Sequence, residues 1–186
     1  MTLMHMVAGG LLVITATACV STPAQVPASP SDPISLLDCQ AVIGSESVPA
    51  EGDSIVLDRV ALPTGRALQA NRSGDPGARL FAKDGLYIRR GASFDLIVPH
   101  DSRDRLSINW GFPGDATHHL RVPGCRPTRT VNPIRDEDAW LVYAGGYTVP
   151  EPACVSLVVK AGQTEQTVRV GVGAACPGQR PPPPPA

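Results

Sequence analysis

An all-β domain, an antiparallel β-sandwich with little helix outside its leader, is the fold class this sequence predicts, and three observations predict it. Apolar and polar residues alternate at period two along much of the chain. Gly and Pro clusters interrupt those runs at short intervals, as in Gly74-Asp75-Pro76-Gly77, Arg90-Gly91-Ala92 and Pro113-Gly114-Asp115. No window of about twelve residues is both free of such breakers and spaced like a helix.

The clearest strand is Thr167-Val168-Arg169-Val170-Gly171-Val172, in which Val168, Val170 and Val172 share one face and Arg169 and Gly171 the other. Upstream, Val155, Leu157 and Val159 alternate with Ser156, Val158 and Lys160. The intervening Ala161-Gly162-Gln163-Thr164-Glu165 reads as the loop of a terminal hairpin. Similar runs stand at Ser54 to Leu62, Leu80 to Arg89, Phe94 to Val98, Leu106 to Trp110, His119 to Val122 and Trp140 to Val149, which makes about eight strands. A domain over 36–176 with short strands at this spacing fits a two-sheet sandwich of immunoglobulin-like architecture, although the cysteine and tryptophan spacing of true immunoglobulin domains is absent.

Sixteen Lys plus Arg against seventeen Asp plus Glu leave a net charge of -1, and no long run of either sign interrupts the balance. Nucleic acid is therefore not an expected partner. Of five cysteines, Cys19 ends the one long apolar stretch, while Cys39, Cys125, Cys154 and Cys176 fall in the domain. Their wide separation lacks the spacing of a structural metal site and reads as two disulfides formed in an oxidising compartment, for which three pairings are open. The pairing expected is Cys39 with Cys176, tying first strand to last, and Cys125 with Cys154, closing the loop that holds Trp140.

The stretch from Met6 to Val20 is uncharged, with Leu11 to Ile14 as its apolar centre. A membrane-spanning helix needs about 20 apolar residues, whereas a secretory leader needs about 7 to 15 followed by small ones. Residues 1–18 thus read as a signal peptide. Ala16-Thr17-Ala18-Cys19 resembles the lipobox of bacterial envelope lipoproteins, and the domain is similar in general appearance to exported bacterial β-domains. The resemblance implies that Cys19 is diacylated on sulfur and becomes the mature N-terminus, holding the chain to the cell membrane outside the cytoplasm. An ordinary secretory leader with an incidental cysteine is the alternative, and would release the same domain. Residues 20–35 carry a proline every three or four positions and read as a tether reaching up to roughly 50 Å at about 3.1 Å per residue. Residues 177–186, ending in five prolines and Ala186, read as a disordered tail.

The densest aromatic segment, Trp140 to Tyr147, holds Trp140, Tyr143 and Tyr147, three of eight aromatic residues. An exposed coplanar strip of these rings would stack on sugars and mark a carbohydrate or cell-wall binding module; rings turned inward would be core. His100, His118 and His119, with Asp101, Asp104 and Asp115 nearby, do not make a metal site by spacing, because adjacent residues of a strand point to opposite faces. Gly91-Ala92-Ser93-Phe94-Asp95 lacks the final glycine of a nucleophile elbow. Asp136-Glu137-Asp138 beside Arg135 reads as a solvated loop, and Asn71-Arg72-Ser73 matches a glycosylation acceptor relevant only to a eukaryotic secretory pathway. No cofactor is implied. The expected function is a non-catalytic structural or interaction module, membrane-bound through its lipid, with a cell-wall polysaccharide or an envelope protein as partner; a small secreted hydrolase is a third reading, and would require a concave pocket holding polar side chains of shifted ionisation.

Overall fold

The computed structural model describes residues 33–72, 78–111, 114–127 and 139–182. Cys19, the leader, most of the tether and the Asp136-Glu137-Asp138 run lie outside them. Within the described residues the strands are β1 (Ser35–Leu36), β2 (Val42–Glu46), β3 (Ser54–Val56), β4 (Val60–Leu62), β5 (Ala67–Leu68), β6 (Asn71–Arg72), β7 (Leu80–Arg89), β8 (Ser93–Ile97), β9 (Ser107–Trp110), β10 (His119–Pro123), β11 (Trp140–Val149), β12 (Ala153–Ala161) and β13 (Thr164–Val172). The only helical pieces among them are two 3₁₀ turns, Cys39–Ala41 and His100–Ser102. The predicted all-β sandwich is what the chain forms.

Two sheets pack face to face. One runs β1-β10-β8-β12-β13-β5; the other runs β2-β11-β7-β4-β3, with β9 extending the β2 side of β11 and β6 lying along β7. Their inner faces come from the alternation that the sequence displays. Phe94, Leu96, Leu120, Val122, Val155, Leu157, Val159, Val168, Val170 and Val172 meet Val42, Leu62, Leu86, Ile88, Ile108, Leu141 and Tyr143 in one core. Each fully buried aliphatic or aromatic side chain contributes roughly 1.5–3 kcal/mol.

The observed elements depart from the predicted ones in four places. The Ser54 to Leu62 run is a hairpin, not one strand, because Leu57 and Asp58 both adopt positive φ (49° and 54°), the pattern of a type I′ turn made without glycine. Arg89 holds that turn: its Nε and Nη2 donate to the Asp58 carbonyl and carboxylate at 3.1 and 2.6 Å. The terminal hairpin turns on only Gly162-Gln163, with Gly162 at φ 61° and pairing intact up to Ala161 and Thr164, so the strands absorb most of the expected loop. The sheet is not purely antiparallel, since the short edge strands β1 and β5 pair parallel to β10 and β13. Finally, the domain extends past Cys176: the Ala67 amide donates to the Arg180 carbonyl at 2.8 Å, so residues 177–182 belong to the fold rather than to a disordered tail.

The disulfides form, but with other partners than expected: Cys39 bonds Cys125, and Cys154 bonds Cys176. The parallel pairing of β1 with β10 explains the first, because Ser35 and Leu36 align with Leu120 and Arg121 and the two chains then leave the sheet in the same direction. Cys39 and Cys125 arrive side by side. For the second, Cys154 lies opposite Gly171 on β13, and the chain folds back beyond Gly173 (φ 71°) to bring Cys176 over it. Two such crosslinks mark a domain that matures in an oxidising, extracytoplasmic environment.

Candidate functional site: a cationic groove at the β5–β6 crossing

The aromatic segment does not form a binding strip. Tyr143 and Tyr147, four residues apart on β11, share the inner face and are 0% exposed. The Tyr143 hydroxyl donates to the Cys39 carbonyl at 3.2 Å, and Tyr147 meets Trp110 edge to face at 5.1 Å. Trp140 is outside that core cluster yet only 3% exposed, with the Arg89 guanidinium 4.8 Å above its ring. These rings are buried and not accessible, which removes the sugar-stacking role expected of them. The glycine beside them serves the fold: a Cβ at Gly145 would collide with the Asn109 carbonyl and with Trp110, so the glycine lets β9 approach β11.

The histidines do not converge either. Among the described residues no group of three His, Cys, Asp or Glu is placed to hold a metal ion. His119 Nε2 lies 3.4 Å from Asp95, which Arg121 also engages at 2.8 Å. Burial pushes the Asp95 carboxyl up, but the Arg121 hydrogen bond and the two neighbouring bases outweigh it and hold the group below its ordinary range. The surface ion pair is thus an ordinary cross-strand contact between β8 and β10.

A concave feature lies instead where the chain crosses between the sheets, from β5 in one to β6 in the other. A cavity of about 830 Å³ opens there, lined by Arg66, Arg72, Arg79, Lys83 and Arg180 together with Phe81, Ala67, Leu68, Gln69, Asn71 and Pro181. Five of the sixteen basic residues of a nearly neutral chain face this one space, and among the described lining residues there is no carboxylate.

Each wall has a local cause. On β7, Leu80, Ala82, Leu86 and Ile88 point into the core, so strand alternation turns Phe81 and Lys83 outward, roughly 7 Å apart. Phe81 brings its Cζ close to Gly146 on β11, within 2.9 Å of where a Cβ there would sit, and remains 37% exposed. Arg79 is steadied by the Asp104 carbonyl (3.3 Å to Nη2) and Arg72 by the Ala78 carbonyl (3.1 Å). Arg180 is set by its neighbour Gln179, whose Nε2 donates toward the Thr64 and Arg169 carbonyls, both at 3.0 Å, while its Oε1 accepts from the Cys176 amide at 3.0 Å. The Cys154–Cys176 bridge anchors this segment to β12. At its tip, Arg180 pairs with Glu51 at 3.0 Å, an exposed contact of small energetic weight.

Arg66 is held from behind. Its Nε donates to the Glu51 carbonyl (3.1 Å) and its Nη2 to both Asp53 (3.1 Å) and Asp84 (3.3 Å). Asp84 occupies a core-facing position of β7, between Ala82 and Leu86, and its side chain is 8% exposed; that of Asp53 is 0% exposed. Burial raises both carboxyls, and the Arg66 charge only partly opposes it; Asp84, with Asp53 beside it, is pushed up to about 7. One guanidinium therefore serves two acids. The Tyr147 hydroxyl is fully buried without a hydrogen-bond partner, and burial, followed by the Asp84 and Asp53 charges, raises it well above its ordinary value. These acids lie beneath Arg66 and do not line the groove, so a ligand in it meets the guanidinium and not the carboxylates.

None of the groove residues was singled out for this role by the sequence, although one signal was available: Asp84 interrupts an inward apolar row at 80, 82, 86 and 88. Comparison with family models, with curated proteins and with solved structures finds no match to this chain.

Proposed function

We propose that this chain works outside the cytoplasm as a lipid-anchored, non-catalytic interaction module, tethered through Cys19 and the proline-rich segment, and that the groove at the β5–β6 crossing is its ligand face. The observation that carries the reading is the gathering of Arg66, Arg72, Arg79, Lys83 and Arg180 around one cavity in a chain of net charge -1. A concentrated field of one sign in a concave surface attracts a partner of the other sign. Binding is favoured over catalysis because the two carboxyls of shifted ionisation are sealed behind Arg66, where no substrate atom reaches Asp53. The disulfides support the compartment, and the leader and lipobox-like segment support the anchor.

Two measurements test it. Mass spectrometry of protein extracted from membranes is expected to find a mature N-terminus at Cys19 carrying a diacylglyceryl group; a water-soluble product that starts elsewhere refutes the anchor. Retention of the domain on a polyanionic matrix is expected to fall with added salt and with the double substitution Arg79→Gln/Lys83→Gln. Retention that is absent, or indifferent to the two substitutions, refutes the groove as ligand face.

A further inference from the structure

The geometry points to an acidic glycan, a strand of uronic-acid type sugars, as the ligand of this groove; the inference rests on the reading of the groove as the ligand face and names the chemistry that face selects. Two features coincide there that neither a simple anion site nor an apolar pocket needs. One is an exposed aromatic surface: Phe81, 37% exposed on the outer face of its sheet, reaches over Gly146, where an added Cβ would meet the Ala82 carbonyl and the Cζ of the ring. The other is the cationic border, with Lys83 next along β7, Arg79 just before the strand, Arg72 beside it on β6, and Arg66 and Arg180 across the cavity. A pyranose ring offers an apolar C–H face to an aromatic ring and, when oxidised to the uronic acid, a carboxylate at its edge. That carboxylate suits the fork of an arginine.

Cations spread over β6, β7 and the 179–182 segment fit charges repeated along a strand better than one compact anion. Competing polymers fit less well. Single-stranded nucleic acid is bound by successive aromatic platforms on a basic domain, whereas the described lining residues of this groove include one aromatic ring and the chain has a pI near 6.4. A peptide strand added to the β5 edge would need the position where the Ala67 amide already donates to the Arg180 carbonyl.

The test is calorimetric titration of the full disulfide-bonded chain, with amide chemical shifts recorded alongside, using a short oligogalacturonate, the same oligomer fully methyl-esterified, and an oligothymidylate of equal charge. The oligogalacturonate is expected to bind, to weaken steeply as salt rises to about 0.3 M, and to shift amides of residues 66–72 and 79–83. Methyl esterification, Phe81→Ala and Arg79→Gln/Lys83→Gln are each expected to weaken it by about tenfold or more. Arg66 is left intact, because it also holds the buried acids; circular dichroism and an unchanged unfolding midpoint establish that the other variants are folded. Oligothymidylate binding as tight as the uronate, an ester that binds equally, or Phe81→Ala without effect overturns the glycan assignment while leaving an anion-binding groove. No amide shift in the groove with either charged probe overturns the ligand face itself.

Discussion

Replacing Asp84 by Asn should stabilise this protein above neutral pH, although it removes a member of a buried ion-pair cluster. Asp84 and Asp53 both lean on the single Nη2 of Arg66, and the Asp84 carboxyl is pushed up to about 7 from the ordinary 3.8 by burial and by Asp53. A raised carboxyl pKa means that the native state keeps a proton the unfolded chain releases. Stability therefore falls as pH rises from about 4 to about 7, and the loss is complete above that window. Three pKa units at about 1.4 kcal/mol each set the scale of the loss at roughly 4 kcal/mol. Asn carries no charge at any pH and still offers Arg66 an acceptor, leaving one acid to one guanidinium. Allowing about 1–2 kcal/mol for the weaker neutral hydrogen bond, Asp84→Asn is expected to gain roughly 2 kcal/mol at pH 8 and to be level with, or slightly below, the parent at pH 5. Urea unfolding under non-reducing conditions at several pH values, followed by the fluorescence of the buried Trp110 and Trp140, measures both numbers. Equal destabilisation at pH 5 and pH 8, or an unaltered slope of stability against pH, would refute the argument that the cluster holds one acid too many.

Three further outcomes are expected. Non-reducing peptide mapping should recover Cys39 with Cys125 and Cys154 with Cys176; replacing each pair by Ser should cost roughly 4–5 kcal/mol for the first, which closes a separation of 86, and about 3 kcal/mol for the second, which closes 22, as measured by denaturant midpoint. Gly145→Ala should destabilise by about 3 kcal/mol, because its Cβ meets the Asn109 carbonyl and Trp110, and near-ultraviolet circular dichroism should register the displaced indole. Gln179→Ala should cost about 1–3 kcal/mol, since the Cys176 amide and several carbonyls lose their partner, and amide exchange should accelerate at Ala67, whose donor bond to Arg180 depends on that segment.

The strands were legible where a long run had one wet face. Val168, Val170 and Val172 are buried as the alternation required, and the runs over 80–89 and 140–149 are strands from end to end. Short strands were not: β1, β5 and β6 have two residues each, too few for a period to show, and they exist because longer neighbours offer them a hydrogen-bonding edge. The Leu57-Asp58 turn also escaped, because neither residue favours positive φ by itself and the turn is held by Arg89, far along the chain. Of the candidate site, the sequence offered only the polar interruption at Asp84.

Trp140, Tyr143 and Tyr147 illustrate where local reading stops. Alternation places Trp140 opposite to Tyr143, but only the second sheet and the Arg89 side chain decide that both faces are covered. The same holds for the thiols. Their number and scatter identify crosslinks, yet which cysteines meet depends on β1 joining β10 in parallel, a pairing between distant segments.

From sequence alone came whatever depends on neighbours along the chain: which residues share a strand face, where breakers end a strand, how many cysteines the domain holds. Side-chain period and turn preference are properties of a few consecutive residues, so they survive without a fold. The disulfide partners, the burial of the aromatic rings and the groove were decided by tertiary structure, because each joins residues that only sheet register brings together. Arg66, Lys83 and Arg180 share one cavity for no reason visible in their sequence positions; β5, β7 and the segment after Cys176 meet there because the sandwich closes around the core.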